Sequence, residues 1–508
     1  MPMLFQELAE LVGGRLIGDG DVEIVSIEYD SRSVGPGSVF VAVPGFTVDG
    51  HGYLGRALAN GSPAVVVQED HEGIWRAAVE AGGADVLVVP DTRRDMARLA
   101  AAFNGYPARE LGVIGITGTD GKTSLSHLVW QVLNRAGQKA GMISTAECRL
   151  GEELLGDTGR FTTPESTQVQ SMLRQMADGG CRWAVIEATS HGLKLHRVDE
   201  CEYDVVAFTN IGADHIDFHG TADDYLAAKG RLFKLLDVAM DKGIAKTAIV
   251  NSDDPAAGYF GEQTQLPAVA YGFEPGAKVR AEDHELDDWS SVFHIFTPEG
   301  DRPMRIGQPG RFAVHNALAA TAIGLAAGLT LDEIAAGVES WPGAPGRVEL
   351  VDAGQPFTVL VDFAHAPDSL RRVLTLLRET SRGRIIAVFG AIGERDKDRR
   401  PGMAAAAAEL ADYTFVTDDN PYSEDRDVIL SDIAEGMRKA GKKEGHDFSV
   451  VPDRWEAISQ ALAMAVDEDA VLLAGKGHEK LVHLGDESYS CDDREVARRV
   501  LAELGHRG

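Results

Sequence analysis

The stretch Gly115-Ile116-Thr117-Gly118-Thr119-Asp120-Gly121-Lys122-Thr123-Ser124 constrains the fold of this chain more than any other. The apolar run Leu111 to Ile114 precedes it, and Leu125 to Ala136, with helical spacing, follows it. A strand, a glycine-rich turn and a helix start are therefore predicted. Glycines let backbone N–H groups turn inward with no Cβ in the way, and the free N–H groups of a helix start attract a polyanion. In that geometry Lys122 reaches terminal phosphates while the Thr123 hydroxyl ligates Mg²⁺. The general phosphate-loop pattern G-x-x-x-x-G-K-[ST] is not met, because its first glycine falls at Ile116. The Gly-Lys-Thr at the helix mouth still favours a nucleotide over a purely structural corner.

At 508 residues the chain exceeds what one core organises, and about three domains are expected. A hydrophobic content of 44% with 25% charged residues is that of a globular protein. The formal charge of −30 argues against a nucleic-acid or anionic-membrane partner. No basic leader or long apolar segment opens the chain, and Met1 to Leu11 reads as an amphipathic helix. Cys148, Cys181, Cys201 and Cys491 form no CxxC pair, so reduced thiols in a cytoplasmic protein are expected, without a structural zinc site.

Residues 1–108 alternate short β-branched runs (Val39 to Val43, Ala64 to Val67, Val86 to Val89) with helical stretches, which suggests a small α/β domain. From 109 to 342 strand and helix alternate as in a mostly parallel sheet, which binds nucleotides at the carboxyl ends of its strands. Strand Trp183 to Ile186 runs into Glu187-Ala188-Thr189-Ser190-His191-Gly192, and Val205 to Thr209 leads into Asn210 to Gly220, which contains His215. Glu187 and Thr123 offer oxygen ligands suited to Mg²⁺. Lys278 to Pro298 reads as a hairpin-like insert, and Asn316 as a helix N-cap. Trp341 to Gly346 is the clearest linker. From 343 to 508, strands at Thr358 to Val361, Ile385 to Phe389, Tyr413 to Val416 and Val471 to Leu473 alternate with helices, giving a second Rossmann-like layer without a dinucleotide fingerprint.

The words T-G-T-D-G-K-T, Glu187 to His191, the Lys229 helix, Asp419-Asn420-Pro421 and Gly475-Lys476-Gly477-His478-Glu479 together resemble the Mur ligases and their folylpolyglutamate synthetase relatives, ATP-dependent enzymes that join a carboxylate to an amine. The resemblance runs over nearly the whole chain and is to the tripeptide-synthetase branch. It implies three α/β domains: a UDP-binding amino-terminal one, a central phosphate-loop one and a carboxyl-terminal Rossmann-like one. It implies ligation of a third residue to UDP-N-acetylmuramoyl-dipeptide in peptidoglycan synthesis, by a monomer working on small-molecule substrates. By resemblance, Gly118, Thr119, Asp120, Gly121, Lys122, Thr123, Ser124, Asn316, Arg347 and Asp362 serve ATP, the last two after closure about the linker. Tyr29, Ser31, Phe46, Thr47, Val48, Thr162, Thr163, Thr189, Leu195 and Arg197 serve the UDP-linked substrate, with Leu195 standing where glutamine is common. Two Mg²⁺ ions fall to Thr123, Glu187, His215 and Lys229, the lysine as a carbamate formed with CO₂.

The acceptor amino acid is assigned to Arg395, Asp419, Asn420, Pro421, Tyr422, Gly475 and Glu479. Relatives that add meso-diaminopimelate read Asp-Asn-Pro-Arg, whose arginine grips the distal carboxylate; here that position is Tyr422. L-Lysine or L-ornithine is therefore expected in preference to meso-diaminopimelate. The rivals are a ligase extending folate and a catalytically silent ATP-binding partner.

Overall fold

The computed structural model describes residues 3–46, 48–156, 162–212, 216–287, 289–394 and 397–506, without side-chain placement at 81, 216 and 217. His215, Thr47 and Arg395 lie outside the described residues. The chain gathers into two compact units, Met1–Arg280 with Phe296–Gly300 and Leu318–Gly337, and Ala281–Ile295 with Asp301–Ala317 and Val338–Gly508.

The first unit holds two main sheets, besides the short antiparallel pair of Met3–Leu4 with Glu23–Ile24. The smaller has the strand order Arg15–Ile17, Asp85–Val89, Ala64–Gln68, Ser38–Val41, Ser26–Glu28, parallel except at its Arg15–Ile17 edge. Val39, Val41, Val66 and Leu87 face one core while Phe40, Val65, Val67 and Val88 face another, so the β-branched runs are buried on both faces. Phe5–Val12 is the amphipathic helix expected near the start, shifted slightly from the predicted bounds. The larger sheet carries parallel strands in the order Ala140–Ile143, Trp183–Glu187, Gly112–Thr117, Val205–Phe208, Thr247–Asn251, Val269–Gly272. Glu187 pairs with Ile116 and Phe208 with Thr117, so three neighbouring strands end at one level.

Val279–Asp287 and Ser290–Thr297 form strands within the insert expected over Lys278 to Pro298, and a further strand, Gly300–Ile306, lies beyond its expected end. The second unit's main sheet runs Glu349–Leu350, Thr358–Asp362, Ala470–Ala474, Ile385–Phe389, Tyr413–Val416, Phe448–Val450, parallel after its first strand. Asn316 is not an N-cap: the helix is Arg311–Ala326 and begins a turn earlier, because apolar Phe312, Ala313 and Val314 extend its buried face toward the N-terminus. Among the described residues, no helix is long and apolar enough to cross a membrane.

Candidate active site

The central strand Gly112–Thr117 delivers Gly118 at φ +147°, where a Cβ would lie 1.9 Å from Thr209 Oγ1, so only glycine fits. Gly121, at φ +81°, opens the helix Lys122–Arg135. The neighbouring strand end braces this turn: Thr119 N donates to Asn210 O (2.7 Å), Asp120 N to Asn210 Oδ1 (3.0 Å), and Thr209 Oγ1 to Asp120 O (2.7 Å). Lys122 Nζ donates to Thr119 O at 2.8 Å, which holds its charge over the turn.

Glu187 is buried at the end of its strand. Its carboxylate accepts from Thr123 Oγ1 (3.1 Å to each oxygen), Ser144 Oγ (2.6 Å), Thr145 N and Thr145 Oγ1 (3.0 Å each). A hydroxyl and a carboxylate side by side at the mouth of a phosphate-loop helix are the hard oxygen donors Mg²⁺ takes, so this donor set fits that ion. Lys229, on helix Ala222–Val238, is buried; its Nζ donates to Gly118 O at 2.5 Å and lies 4.5 Å from the Tyr225 ring centre.

A second cluster lies in the same unit. Thr163 Oγ1 sits 2.9 Å from Thr189 Oγ1, and Thr189 caps the helix Ser190–Lys194 by accepting from Gly192 N. Arg197 Nη1 donates to Thr163 O (3.1 Å), and its Nη2 pairs with Glu165 (2.7 Å). Arg93 donates to Pro44 O (2.8 Å) and lies over the ring of Phe46, which is 73% exposed and meets Phe218 edge to face; Phe218 in turn stacks on His191. Burial lowers the Arg93 pKa, opposed by the charge of Glu165. Burial and the charge of Glu165 raise that of the Tyr29 phenol, opposed by the charge of Arg197. The result is an exposed aromatic turn above two guanidinium groups, a surface suited to a ring and an anion.

Asp49, His51 and His71 also bring ligand atoms within 4.8 Å of one another. His51 Nε2 accepts from Gln68 N (2.9 Å), so its Nδ1 carries the proton and donates to Asp49 (2.6 Å). Both ring nitrogens are committed, and the group acts as a brace for the Pro44 to Gly52 turn rather than as a metal centre.

In the second unit, two strand-end loops meet. Asp419 is buried, and neither carboxylate oxygen has a hydrogen-bond partner among the described residues; Lys476 Nζ is 4.0 Å away. Asn420 Nδ2 donates to Glu479 Oε2 (2.7 Å), and Lys476 Nζ donates to Glu479 Oε2 (3.0 Å) and Asn420 Oδ1 (3.2 Å). Burial pushes the Asp419 carboxyl up, with Lys476 opposing and Glu479 reinforcing the rise. Gly475, at φ +109°, has Asp419 Oδ2 2.6 Å from where a Cβ would stand. Tyr422 is left-handed at φ +51°; its N–H donates to His483 O (3.0 Å), and its ring stacks on His483 at 10°.

Three family models match in succession: "Mur ligase family, catalytic domain" over 23–104, "Mur ligase middle domain" over 116–324, and "Mur ligase, glutamate ligase domain" over 346–477. The chain is 41% identical to the UDP-N-acetylmuramoyl-L-alanyl-D-glutamate–2,6-diaminopimelate ligase of Bacillus licheniformis, over 96% of each chain. The chain belongs to the Mur ligase family. It is also 42% identical to a UDP-N-acetylmuramyl-tripeptide synthetase of a Roseiflexus species, again over 96% of each. A solved UDP-N-acetylmuramoyl-L-alanyl-D-glutamate–2,6-diaminopimelate ligase matches with a TM-score of 0.67 and 28% identity over the full length of both chains.

As a Mur ligase the chain is an ATP-dependent, ADP-forming amide ligase with the family's three-domain α/β fold. The residues read from sequence fall into three groups. Gly118 to Ser124, Glu187 and Lys229 converge on one turn. Tyr29, Phe46, Thr163, Thr189 and Arg197 belong to the aromatic and guanidinium surface; Val48 is exposed, Ser31 buried, Thr162 half-buried, and Leu195 is buried with only an apolar side chain to offer. Asp419, Asn420, Gly475 and Glu479 meet in the second unit, where Pro421 separates Asn420 from the strained Tyr422. Asn316 is buried there, Arg347 lies over the Phe363 ring, and Asp362 accepts from Val348 N (2.8 Å) beside the linker. Sequence reading of this Mur ligase missed Ser144, Thr145, Asn210, Arg93 and Phe218. Only Asn210 had a signal, its place directly after a strand.

Proposed function

We propose that this Mur ligase adds the third residue of the peptidoglycan stem, joining a diamino acid to UDP-N-acetylmuramoyl-L-alanyl-D-glutamate in the cytoplasm. The observation that carries this reading is the match along 96% of the chain to ligases named for that reaction. The acceptor we propose is 2,6-diaminopimelate, as in those relatives, which runs against the lysine or ornithine expectation. One observation favours the latter: Tyr422, where a guanidinium would grip the distal carboxylate, is fastened to His483 and offers no charge. The Roseiflexus relative's name specifies no acceptor.

In this reading spans 1–108, 109–342 and 343–508 bind the UDP-linked substrate, the nucleotide and the acceptor respectively. The D-glutamyl carboxylate attacks the γ-phosphate of ATP in line, ADP leaves, and an acyl phosphate forms. Lys122 and the N–H groups of Gly121 to Thr123 offset the charge that spreads over the transferring oxygens. Thr123 and Glu187 would hold Mg²⁺, which would neutralise phosphate charge. His215 and a carbamate on Lys229 would hold a second ion; the burial of the Lys229 amine at the floor of the phosphate loop supports that role for Lys229. Arg197 and Arg93 orient the anionic substrate, while Asp419 and Glu479 draw the acceptor's ammonium. The neutral amine then attacks the acyl carbon, inorganic phosphate leaves, and the amide remains.

ADP release with the UDP-linked dipeptide and, in turn, meso-diaminopimelate, L-lysine or L-ornithine tests the reading. Stimulation by one diamino acid is expected; ADP release indifferent to all three would overturn it.

A further inference from the structure

Behind the two acceptor loops lies an ion pair that the reaction does not use. Arg454 and Asp493 are both fully buried, with Arg454 Nε 2.7 Å from Asp493 Oδ1 and Nη2 2.5 Å from Oδ2. The same guanidinium reaches in two other directions: Nη1 donates to Asp418 O (3.0 Å) and Nη2 to Ala474 O (2.9 Å). Asp418 immediately precedes Asp419, and Ala474 immediately precedes Gly475. The two carbonyls therefore belong to the peptides that launch the two loops, and one rigid planar group spans them.

Local helix chemistry does not ask for an arginine here. Arg454 is the first residue of helix Arg454–Met464, capped by Asp453, and Asp493 is the first residue of Asp493–Glu503, capped by Asp492. Helix starts are electropositive, which suits Asp493 and disfavours a buried cation. A buried ion pair gains little over an apolar pair of similar volume, so stability alone does not account for it. Its bonds to the loops do. With Asp419 Oδ2 2.6 Å from the Cβ position that Gly475 lacks, a small change in loop separation either closes the gap or moves the carboxylate away from Lys476.

We infer that Arg454, held by Asp493, is the positioning residue of the acceptor site, fixing the spacing between the Asp419–Asn420 loop and the Gly475–Glu479 loop. This rests on the proposed reading of those loops as the acceptor site. The prediction is a KM effect confined to one substrate.

The test measures KM for the acceptor diamino acid and for ATP in Arg454→Lys, in the apolar double variant Arg454→Met/Asp493→Leu, and in Glu479→Gln. Arg454→Lys keeps the charge but cannot span both carbonyls, and the acceptor KM rises about tenfold while the ATP KM stays within about twofold. The double variant folds with an unfolding temperature near that of the parent, yet shows the same rise. An unchanged acceptor KM in the folded double variant overturns the inference; should that variant fail to fold, an unchanged KM in Arg454→Lys does so. Glu479→Gln separates the two failures. If it raises the acceptor KM while the Arg454 variants do not, only the clamp falls; if it leaves the acceptor KM unchanged, the loop reading fails and the clamp with it.

Discussion

The phosphate loop and the paired Asp419 and Gly475 loops both sit at strand ends, but their buried carboxylates differ in what they meet. Glu187 accepts from three side chains and one backbone N–H. Asp419 accepts from nothing among the described residues, although it is as deeply buried. A satisfied carboxylate is preorganised for a task every turnover repeats. A buried one with a cation at 4.0 Å but no hydrogen-bond donor costs free energy until something arrives with a proton to donate. The first arrangement suits chemistry common to all acceptors, and the second suits choosing among them.

Variants can break that contrast. Lys122→Ala has the largest expected effect: about 10³-fold slower ADP release with every acceptor, since it removes charge stabilisation of the transferring group. Lys229→Ala follows, losing most ligation, about 10²-fold, with partial recovery on adding short carboxylic acids; unchanged turnover removes Lys229 from the site. In the Asp419 and Gly475 loops, which we propose serve the acceptor, the expected effect is on ratio rather than rate. Tyr422→Arg shifts the preference toward meso-diaminopimelate by about tenfold, the worth of one charge-assisted contact. An unchanged ratio in competition assays would mean that this side chain does not face the acceptor.

The smallest effect is on stability. Glu424 bridges the loops' periphery by accepting from Arg400 (2.7 Å) and from Glu394 N (3.0 Å), which holds its carboxyl at about 2, below the ordinary 4.5. A depressed folded-state pKa contributes stability fully above pH 4.5 and loses it as pH falls toward 2. Glu424→Gln is thus expected to lessen the pH dependence of unfolding in that window, with no change at pH 7 to 8 in the slope of stability against pH.

Sequence alone made the phosphate loop legible, because its glycines, lysine and threonine are contiguous and each answers a local backbone or charge requirement: Gly118 has no room for a Cβ, and Lys122 opens the helix. The β-branched runs likewise made the small α/β domain legible, since strands buried on both faces cannot hide their composition, and the alternation of strand and helix over 109–342 pointed to a mostly parallel sheet. Other features were decided only when the chain folded. Ser144 and Thr145 reach Glu187 from the loop that follows the neighbouring strand Ala140–Ile143, and Arg93 reaches Phe46 from the start of a helix. Asn316 changed meaning because packing of Ala313 and Val314 into the core started its helix a turn earlier. Arg454 touches two loops and a helix start from three distant parts of the chain. Periodicity and short motifs report what a residue needs from its sequence neighbours; which distant carbonyl or carboxylate it meets depends on sheet order and register, and those are settled by packing.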